Sequence, residues 1–337
     1  MINYYIMSDM ILEKKQILNF TKKVKLKSII NEKHYMHNTS TPSIIKYKDW
    51  YIINIRVPGY YFDKDFHFLG YYYQSHMIQN NKTIILDKSF EVVKNQMIKL
   101  NKNLNDWPRN FHVGVEDLRL FNDKVSEQLL FIGTIGESQK KWKGYRTECG
   151  FGVYTLTGES LIINRLIKEN KKRIDKNWVF YNYKKDDKWK LKIIYEWYPL
   201  LRIYDIKESD NKSNWNLQNE IIIKVPERFK NFRGSTCGYN YKNEIWFICH
   251  KVYGDYKKLG RGACQYYHIF IVFDHNMKLL RYSDEINFGT KNVEYCCGII
   301  VEDDRVFVTY SELDKTSKVA IYDKDYIDSL FIYKGNL

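Results

Sequence analysis

At 337 residues, with 44% hydrophobic and 16% aromatic side chains, the chain can bury a sizeable core and is too apolar to be disordered. Its net charge of +14 comes largely from scattered lysines, a pattern of solvated positions that makes nucleic acid an unlikely partner and that also suits an anionic substrate. No run approaches the length of a membrane span, and MINYYIMSDMILEKKQ carries an early Asp and Glu where a secretory leader needs an apolar stretch, so a cytoplasmic protein is expected.

The six cysteines (Cys149, Cys237, Cys249, Cys264, Cys296 and Cys297) form no CxxC pair and have no zinc-type spacing with the histidines, which predicts free, mostly buried thiols and no metal. Residues 1–35 read as an N-terminal extension able to close a ring, and 36–337 as the catalytic domain. A repeating unit runs through that domain: a polar turn, then an apolar strand ending on a polar group. It is seen in WYIINIR (Trp50–Arg56), LLFIGTIGE (Leu129–Glu137), KLKIIYE (Lys190–Glu196), IWFICH (Ile245–His250) and RVFVTYSELD (Arg305–Asp314), about 60 residues apart.

Hairpin turns are predicted at Asp87, at Thr157-Gly158, at Asp274-His275-Asn276, and at Asp323 and Asp325, each between Ile-, Val- and Tyr-rich runs. Phe90–Leu104 reads as a second hairpin strand plus a loop. Asp63-Lys64-Asp65 and Asp323-Lys324-Asp325 read as loop turns. Five units of about four strands predict an all-β, single-domain, five-bladed β-propeller. Its innermost strands fall at Thr41–Tyr47, Val113–Asn122, Lys176–Tyr183, Phe232–Tyr241 and Val293–Asp303.

Polar groups then gather at one end of those strands. In FHVGVEDLRLF, alternation sends Asp117 and Arg119 to one face and Glu116, Leu118 and Leu120 to the other. Matching positions supply Ser43, Lys176 with Asn177, Arg233 with Ser235, and Glu294. Neighbouring strands end on Arg56, Glu196, His250 and Asp314. Buried charge is costly unless paired, so convergent ionisable groups mark either an ion-pair network or an active site.

VEDLRLF (Val115–Phe121) resembles the E-D-P-R motif of glycoside hydrolase family 130, five-bladed mannoside phosphorylases and hydrolases, and of the related β-1,2-mannosyltransferases of glycosyltransferase family 108. TPSII, NIRVPGYYF, DKNW, YEWYPL, FRGST, WFICHKV, YYHIFIVFD, VEYCCGI and VTYSELD follow in the family order, from about Thr41 to Tyr322. Leu118 stands where the family has Pro, Asp175 where it has Glu, and Thr41-Pro42-Ser43 is an approximate match.

The resemblance implies Asp117 as catalytic acid or base, with Arg119 orienting it or binding an oxyanion. It implies Arg56, Lys176, Arg233 and His250 as a phosphate pocket, with Asn177, Ser235, Glu294 and Asp314 completing the substrate site. Some of these cations could equally be salt-bridge partners of Glu196, Glu294 and Asp314. A direct inverting hydrolase would need a second carboxylate about 6.5–9.5 Å from the acid. Trp178, Trp197 and Tyr198 suit either sugar stacking or the core, and His268 suits a structural role. No dinucleotide fingerprint, phosphate loop or zinc-protease motif occurs, and no cofactor is expected.

The expected activity is transfer of a mannose-type sugar from a nucleotide sugar or sugar 1-phosphate to a glycan acceptor. Phosphorolysis or hydrolysis of a mannoside is the rival within the same site. A non-catalytic basic propeller holding nucleic acid or protein is the rival from another class.

Overall fold

A computed structural model describes residues 16–19, 38–62, 68–71, 77–100, 112–136, 147–168, 175–210, 214–254, 264–289 and 293–335. Most of the proposed extension, Asp63-Lys64-Asp65 and the end of Phe90–Leu104 lie outside them.

The chain is built from antiparallel meanders. After β1 (Gln16–Asn19), the first comprises β2 (Ser40–Tyr47) and β3 (Trp50–Pro58), then a separate small hairpin of β4 (Tyr60–Phe62) and β5 (Phe68–Tyr71), then β6 (Met77–Leu86) and β7 (Val92–Met97). β8 (His112–Gly114) returns parallel to β6. The second is β9 (Glu116–Asn122), β10 (Leu129–Gly136), β11 (Thr147–Val153) and β12 (Asn164–Ile167). The third is β13 (Val179–Lys185), β14 (Lys188–Glu196), β15 (Leu200–Glu208) and β16 (Asn214–Lys224); parallel pairing of β12 with β16 joins it to the second in one eight-stranded sheet.

In the fourth, β17 (Arg233–Gly234) and β18 (Tyr239–Tyr241) both pair with β19 (Glu244–Tyr253), followed by β20 (Gln265–Asp274) and β21 (Leu279–Tyr282). The fifth is β22 (Glu294–Val301), β23 (Arg305–Glu312) and β24 (Lys318–Asp323), with β1 on its outer edge. A short helix α1 (Lys324–Ser329) leads to β25 (Tyr333–Lys334), which pairs with β21. Among the described residues no helix is long and apolar enough to cross a membrane.

Local chemistry explains the hairpins. Asp87 Oδ1 accepts the amides of Ser89 and Glu91 at 2.8 and 3.0 Å, and Asp274 Oδ1 those of Asn276 and Lys278, both at 2.8 Å. Each carboxylate stands in for a backbone acceptor and folds the turn around itself. The turn expected at Asp323 and Asp325 is instead the entry to α1, which buries Ile327 and pairs Lys324 with Asp328 one turn on. An apolar face with i,i+4 charges outweighs the turn preference of two aspartates there.

The interior is a set of apolar wedges between successive sheets. Ile52, Ile85, Leu118, Leu120 and Phe131 fill the space between the first and second meanders. Phe180, Ile193, Trp197, Phe247 and Ile271 belong to a larger cluster spanning the second, third and fourth. Trp246, Phe270, Val306 and Tyr310 lie between the fourth and fifth, and Ile53, Ile84, Ile300 and Phe307 between the fifth and first.

Three predicted inner strands are interrupted. Val113–Asn122 splits between β8 and β9, Lys176–Tyr183 becomes regular only at Val179, and Phe232–Tyr241 breaks between Gly234 and Tyr239. Two of these breaks fall beside Asp117 and Asn177, whose φ angles are 52° and 68°.

Candidate active site

The sheet ends carrying the polar residues depart from regular strand geometry. Thr41, Asp117, Asn177 and Asp314 have φ of 37°, 52°, 68° and 49°, in the left-handed region that costs a non-glycine residue about 1–3 kcal/mol. Register shifts accompany two of them, between Ser40 and Ser43 on β2 and opposite Ile132–Thr134 on β9. Strain at one end of several neighbouring strands aims side chains that strict alternation would keep apart.

Arg56, 1% exposed on β3, is the centre of one cluster. Its Nη1 lies 3.1 Å from Glu116 Oε1 and 3.3 Å from Asp117 Oδ1, and its Nη2 lies 3.4 Å from Asp314 Oδ1. Nη2 also donates to Ser40 Oγ at 3.1 Å, and that hydroxyl donates to Asp314 Oδ1 at 3.0 Å. One guanidinium thus faces three carboxyl groups. Burial and the neighbouring Glu116 push the Asp117 carboxyl above its ordinary value, against the pull of Arg56, Lys176 and Arg119. Asp117 is the group here suited to carry a proton.

Arg119 has a different task. Its Nε donates to the Ser235 carbonyl at 2.6 Å and its Nη1 to the Asp117 carbonyl at 2.8 Å. Its Nη2 donates to Tyr295 Oη at 2.7 Å, with Asn177 Oδ1 at 3.2 Å and the Gly234 carbonyl at 3.4 Å. Tyr295 Oη donates in turn to Asn177 Oδ1 at 2.7 Å. This one buried cation stitches the second, third, fourth and fifth meanders together. The expectation that it binds a substrate oxyanion is corrected: these protein acceptors engage all three of its nitrogens, and the side chain positions Asp117 through its carbonyl.

His250 completes the cluster. Its Nδ1 is 2.8 Å from Ser235 Oγ, and its ring meets Tyr295 edge-on at 4.8 Å. Burial, then His268, Arg233, Arg119 and Lys176, hold it well below the usual histidine range, so it is neutral at pH 7. Arg233 sits opposite His250 in the β17–β19 register and is exposed, while Lys176 is half-buried. Neither has an ion-pair partner among the described residues. Two charged groups next to a neutral imidazole and a hydroxyl make a set of donors fit for a phosphate.

Several sequence-derived candidates lie elsewhere. Glu294 is fully buried in the fifth meander, where its Oε2 accepts the Phe288 amide at 2.8 Å, so it does not face the Asp117 cluster. Trp178 and Trp197 are core side chains, packed on Tyr195 and Phe247, and do not offer a sugar a face. Tyr198 donates to Glu227 and Glu196 pairs with Arg202, both away from Asp117. Ser43 is structural: its hydroxyl donates to the Cys297 carbonyl at 3.0 Å and accepts the Leu120 amide at 2.9 Å. His268 is buried against Phe288.

Three participants escaped the sequence reading. Glu116 was assigned to the far face, Tyr295 was passed over for its charged neighbour, and Ser40 lay one residue before the predicted strand. Tyr295 was recoverable, because alternation allows only one of Glu294 and Tyr295 to face the other inner strands.

No protein-family model and no curated protein sequence matches the chain. Solved structures do match by fold. A β-1,2-mannobiose phosphorylase from Listeria innocua, in complex with β-1,2-mannobiose, superposes with a TM-score of 0.53 at 12% identity over 90% of this chain and 95% of that one. A structure of the GH130 family of mannoside phosphorylases, which contains glycoside hydrolases that target β-1,2 mannosidic linkages in Candida mannan, gives 0.54 at 12% over 86% and 85%. A GDP-Man-dependent mannosyltransferase from Leishmania mexicana gives 0.51 at 14% over 89% and 91%. The chain therefore shares the all-β fold of mannoside phosphorylases and a mannosyltransferase.

Proposed function

We propose that the protein is a five-bladed β-propeller glycosyltransferase that moves a mannose-type sugar from a phosphate-bearing donor to a glycan acceptor, with Asp117 as acid/base. The five meanders serve as blades, and β1, on the outer edge of β24, brings the N-terminal segment into the last blade. The propeller reading is supported by the wedge of core between the fifth and first meanders and by the fold of the matched structures. The observation that carries the activity is a buried Asp117, its carboxyl raised by burial and Glu116, in one cluster with two cations, Lys176 and Arg233, that have no ion-pair partner among the described residues and flank neutral His250.

In the transfer direction the acceptor hydroxyl attacks the anomeric carbon and its proton passes to the Asp117 carboxylate. The bond from that carbon to the donor phosphate oxygen breaks, and its electron pair stays on the phosphate. Lys176, Arg233 and the neutral His250 hold that charge. Phosphorolysis is the reverse path, with protonated Asp117 donating to the departing sugar oxygen. A carboxyl raised by burial and by Glu116 holds a proton more readily than an ordinary aspartate, which suits the donor's part, and Arg56 beside it favours the carboxylate that the acceptor's part needs.

The test is incubation of the purified protein with GDP-mannose, or with mannose 1-phosphate, and a mannose oligosaccharide. Elongated product with release of nucleotide or phosphate, abolished by Asp117→Asn, is expected. Cleavage of a mannoside in plain buffer, independent of phosphate and of either donor, would overturn the transferase reading. Steeply salt-dependent binding of DNA, insensitive to Asp117→Asn and without any sugar chemistry, would replace it with a binding propeller.

A further inference from the structure

The inner strands have a second end, and it holds a cavity that the proposed chemistry does not use. The strands β2 and β9, which begin at Ser40 and Glu116 at the active-site end, carry Lys46 and Asn122 at their other ends, and Asn240 lies on β18, beyond the break that follows Ser235. These, with Ile45, Lys48, Phe121, Lys124, Gly238 and Tyr239, line a space of about 270 Å³. That volume admits a monosaccharide carrying one small substituent.

The lining has two kinds of chemistry. Lys46 is paired with Glu302 at 2.5 Å. Lys48 and Lys124, by contrast, have no ion-pair partner among the described residues, and the Lys48 Nζ lies 5.5 Å over the Tyr47 ring. The cavity therefore carries two uncompensated positive charges. The same lining holds two carboxamides, Asn122 and Asn240, with no side-chain hydrogen bond among the described residues, the enclosed Asn240 Oδ1 included. Tyr239 and Phe121 supply aromatic surface. Uncompensated amines select an anion, and free carboxamides beside aromatic surface suit a ring bearing hydroxyl groups.

We propose that this cavity is a second ligand site, separate from the Asp117 cluster, that binds a phosphorylated monosaccharide. Lys48 and Lys124 hold the phosphate, and Asn122 and Asn240 hold sugar hydroxyls. The site stands at the opposite end of β2 and β9 from Arg56 and Asp117, so its occupant is not a reactant of the transfer step. The assignment rests on the cavity and its unpartnered groups and holds whichever sugar chemistry the other end performs.

Mannose 6-phosphate, mannose and inorganic phosphate are the probes, titrated by calorimetry against wild type, Lys48→Glu/Lys124→Glu and Lys176→Ala/Arg233→Ala. Both lysines are exposed, and thermal unfolding confirms that the double variant folds. A mannose 6-phosphate binding event that survives Lys176→Ala/Arg233→Ala and weakens about tenfold or more in Lys48→Glu/Lys124→Glu supports the site. Mannose and phosphate alone should each bind more weakly than the compound that joins them. Soaked crystals should show mannose 6-phosphate against Lys48 and Lys124. Equal affinity in wild type and Lys48→Glu/Lys124→Glu, phosphate binding as tightly as mannose 6-phosphate, or density only over Asp117 would each overturn it.

Discussion

Strands β9 and β22 both open on a glutamate at the same end of the molecule, and they use it in opposite ways. In β22 the register is regular from Glu294 to Cys296 and shifts only at Cys297. Glu294 turns into its own sheet and Tyr295 into the cluster, where Tyr295 and Cys297 share the field of Arg119 and Asp117. In β9 the φ of 52° at Asp117 breaks the alternation, and Glu116 and Asp117 both reach Arg56. Alternation resumes beyond it, with Leu118 and Leu120 in one apolar wedge and Phe121 in another. Which residues reach the Arg56 cluster is thus decided by a single backbone angle, and a charged residue on a regular stretch of strand can be mere interior.

The largest test of that contrast is Asp117→Asn. It removes the proposed proton carrier while keeping a side chain that tolerates the left-handed region. Turnover should fall by about 10²–10⁴-fold in the transfer assay. Stability should be preserved, since an amide needs no proton to be buried. The Asp117 carboxyl is raised in the folded state, so the stability it contributes is complete below pH 3.8 and is lost as pH rises through its folded value. The variant should lack that decline. Turnover within tenfold of wild type would remove Asp117 from the chemistry.

Next in size is Arg56→Ala, which leaves Glu116, Asp117 and Asp314 facing one another. A cost of about 3–5 kcal/mol is expected in denaturant unfolding at neutral pH. The cost should shrink as pH falls, because protonated carboxyls no longer repel. A pH-independent cost would mean that Arg56 contributes packing alone.

The strands themselves were readable from short Ile-, Val- and Tyr-rich runs, and the hairpins at Asp87 and Asp274 from the capacity of aspartate to fold a turn. The clustering of Arg56, Asp117, Asn177, Ser235, His250 and Asp314 followed from strand ends alone. What sequence could not give was φ. A glycine would have announced a left-handed position, but this chain uses Asp117, Asn177 and Asp314, which tolerate that region without advertising it. Strict alternation therefore misplaced Glu116, and counting charges selected Glu294 over Tyr295. The two tryptophans stay open in the sequence for a different reason: an aromatic beside a polar motif serves a core as readily as a ligand, and only packing, which here puts both in the core, separates the two.

Tyr295→Phe compared with Glu294→Gln isolates the β22 half of the contrast. The phenol bridges Arg119 to Asn177, so its loss removes two buried hydrogen bonds and loosens the group that holds the Asp117 carbonyl. A fall in kcat of about tenfold is expected, the equivalent of roughly 1.4 kcal/mol. Glu294→Gln keeps the shape and the acceptor for Phe288 and should leave kcat/KM within about twofold, as interior substitutions remote from the reacting atoms do. If the two variants were reversed in their effects, the assignment of faces on β22 would be wrong.

The smallest effect at neutral pH, and the one that separates the site from its surroundings most cleanly, concerns the two facing histidines. His250 and His268 lie opposite each other on β19 and β20, and both are held neutral. His250 has Ser235 as a partner, whereas neither ring nitrogen of His268 has one. Burial lowers His268 to about 3, so between pH 6.5 and that value the unfolded chain binds a proton that the folded chain refuses. Stability must fall as pH drops below 6.5, by up to about 1.4 kcal/mol per pH unit for each such histidine. His268→Leu removes one of the two contributions and should flatten the acid limb accordingly, while changing stability and turnover little at pH 7.5. His250→Leu should flatten the same limb and also lower turnover, because it strips a donor from the proposed phosphate site. A His268→Leu variant with the full wild-type acid slope would show that this imidazole is charged, or hydrated, in the folded protein.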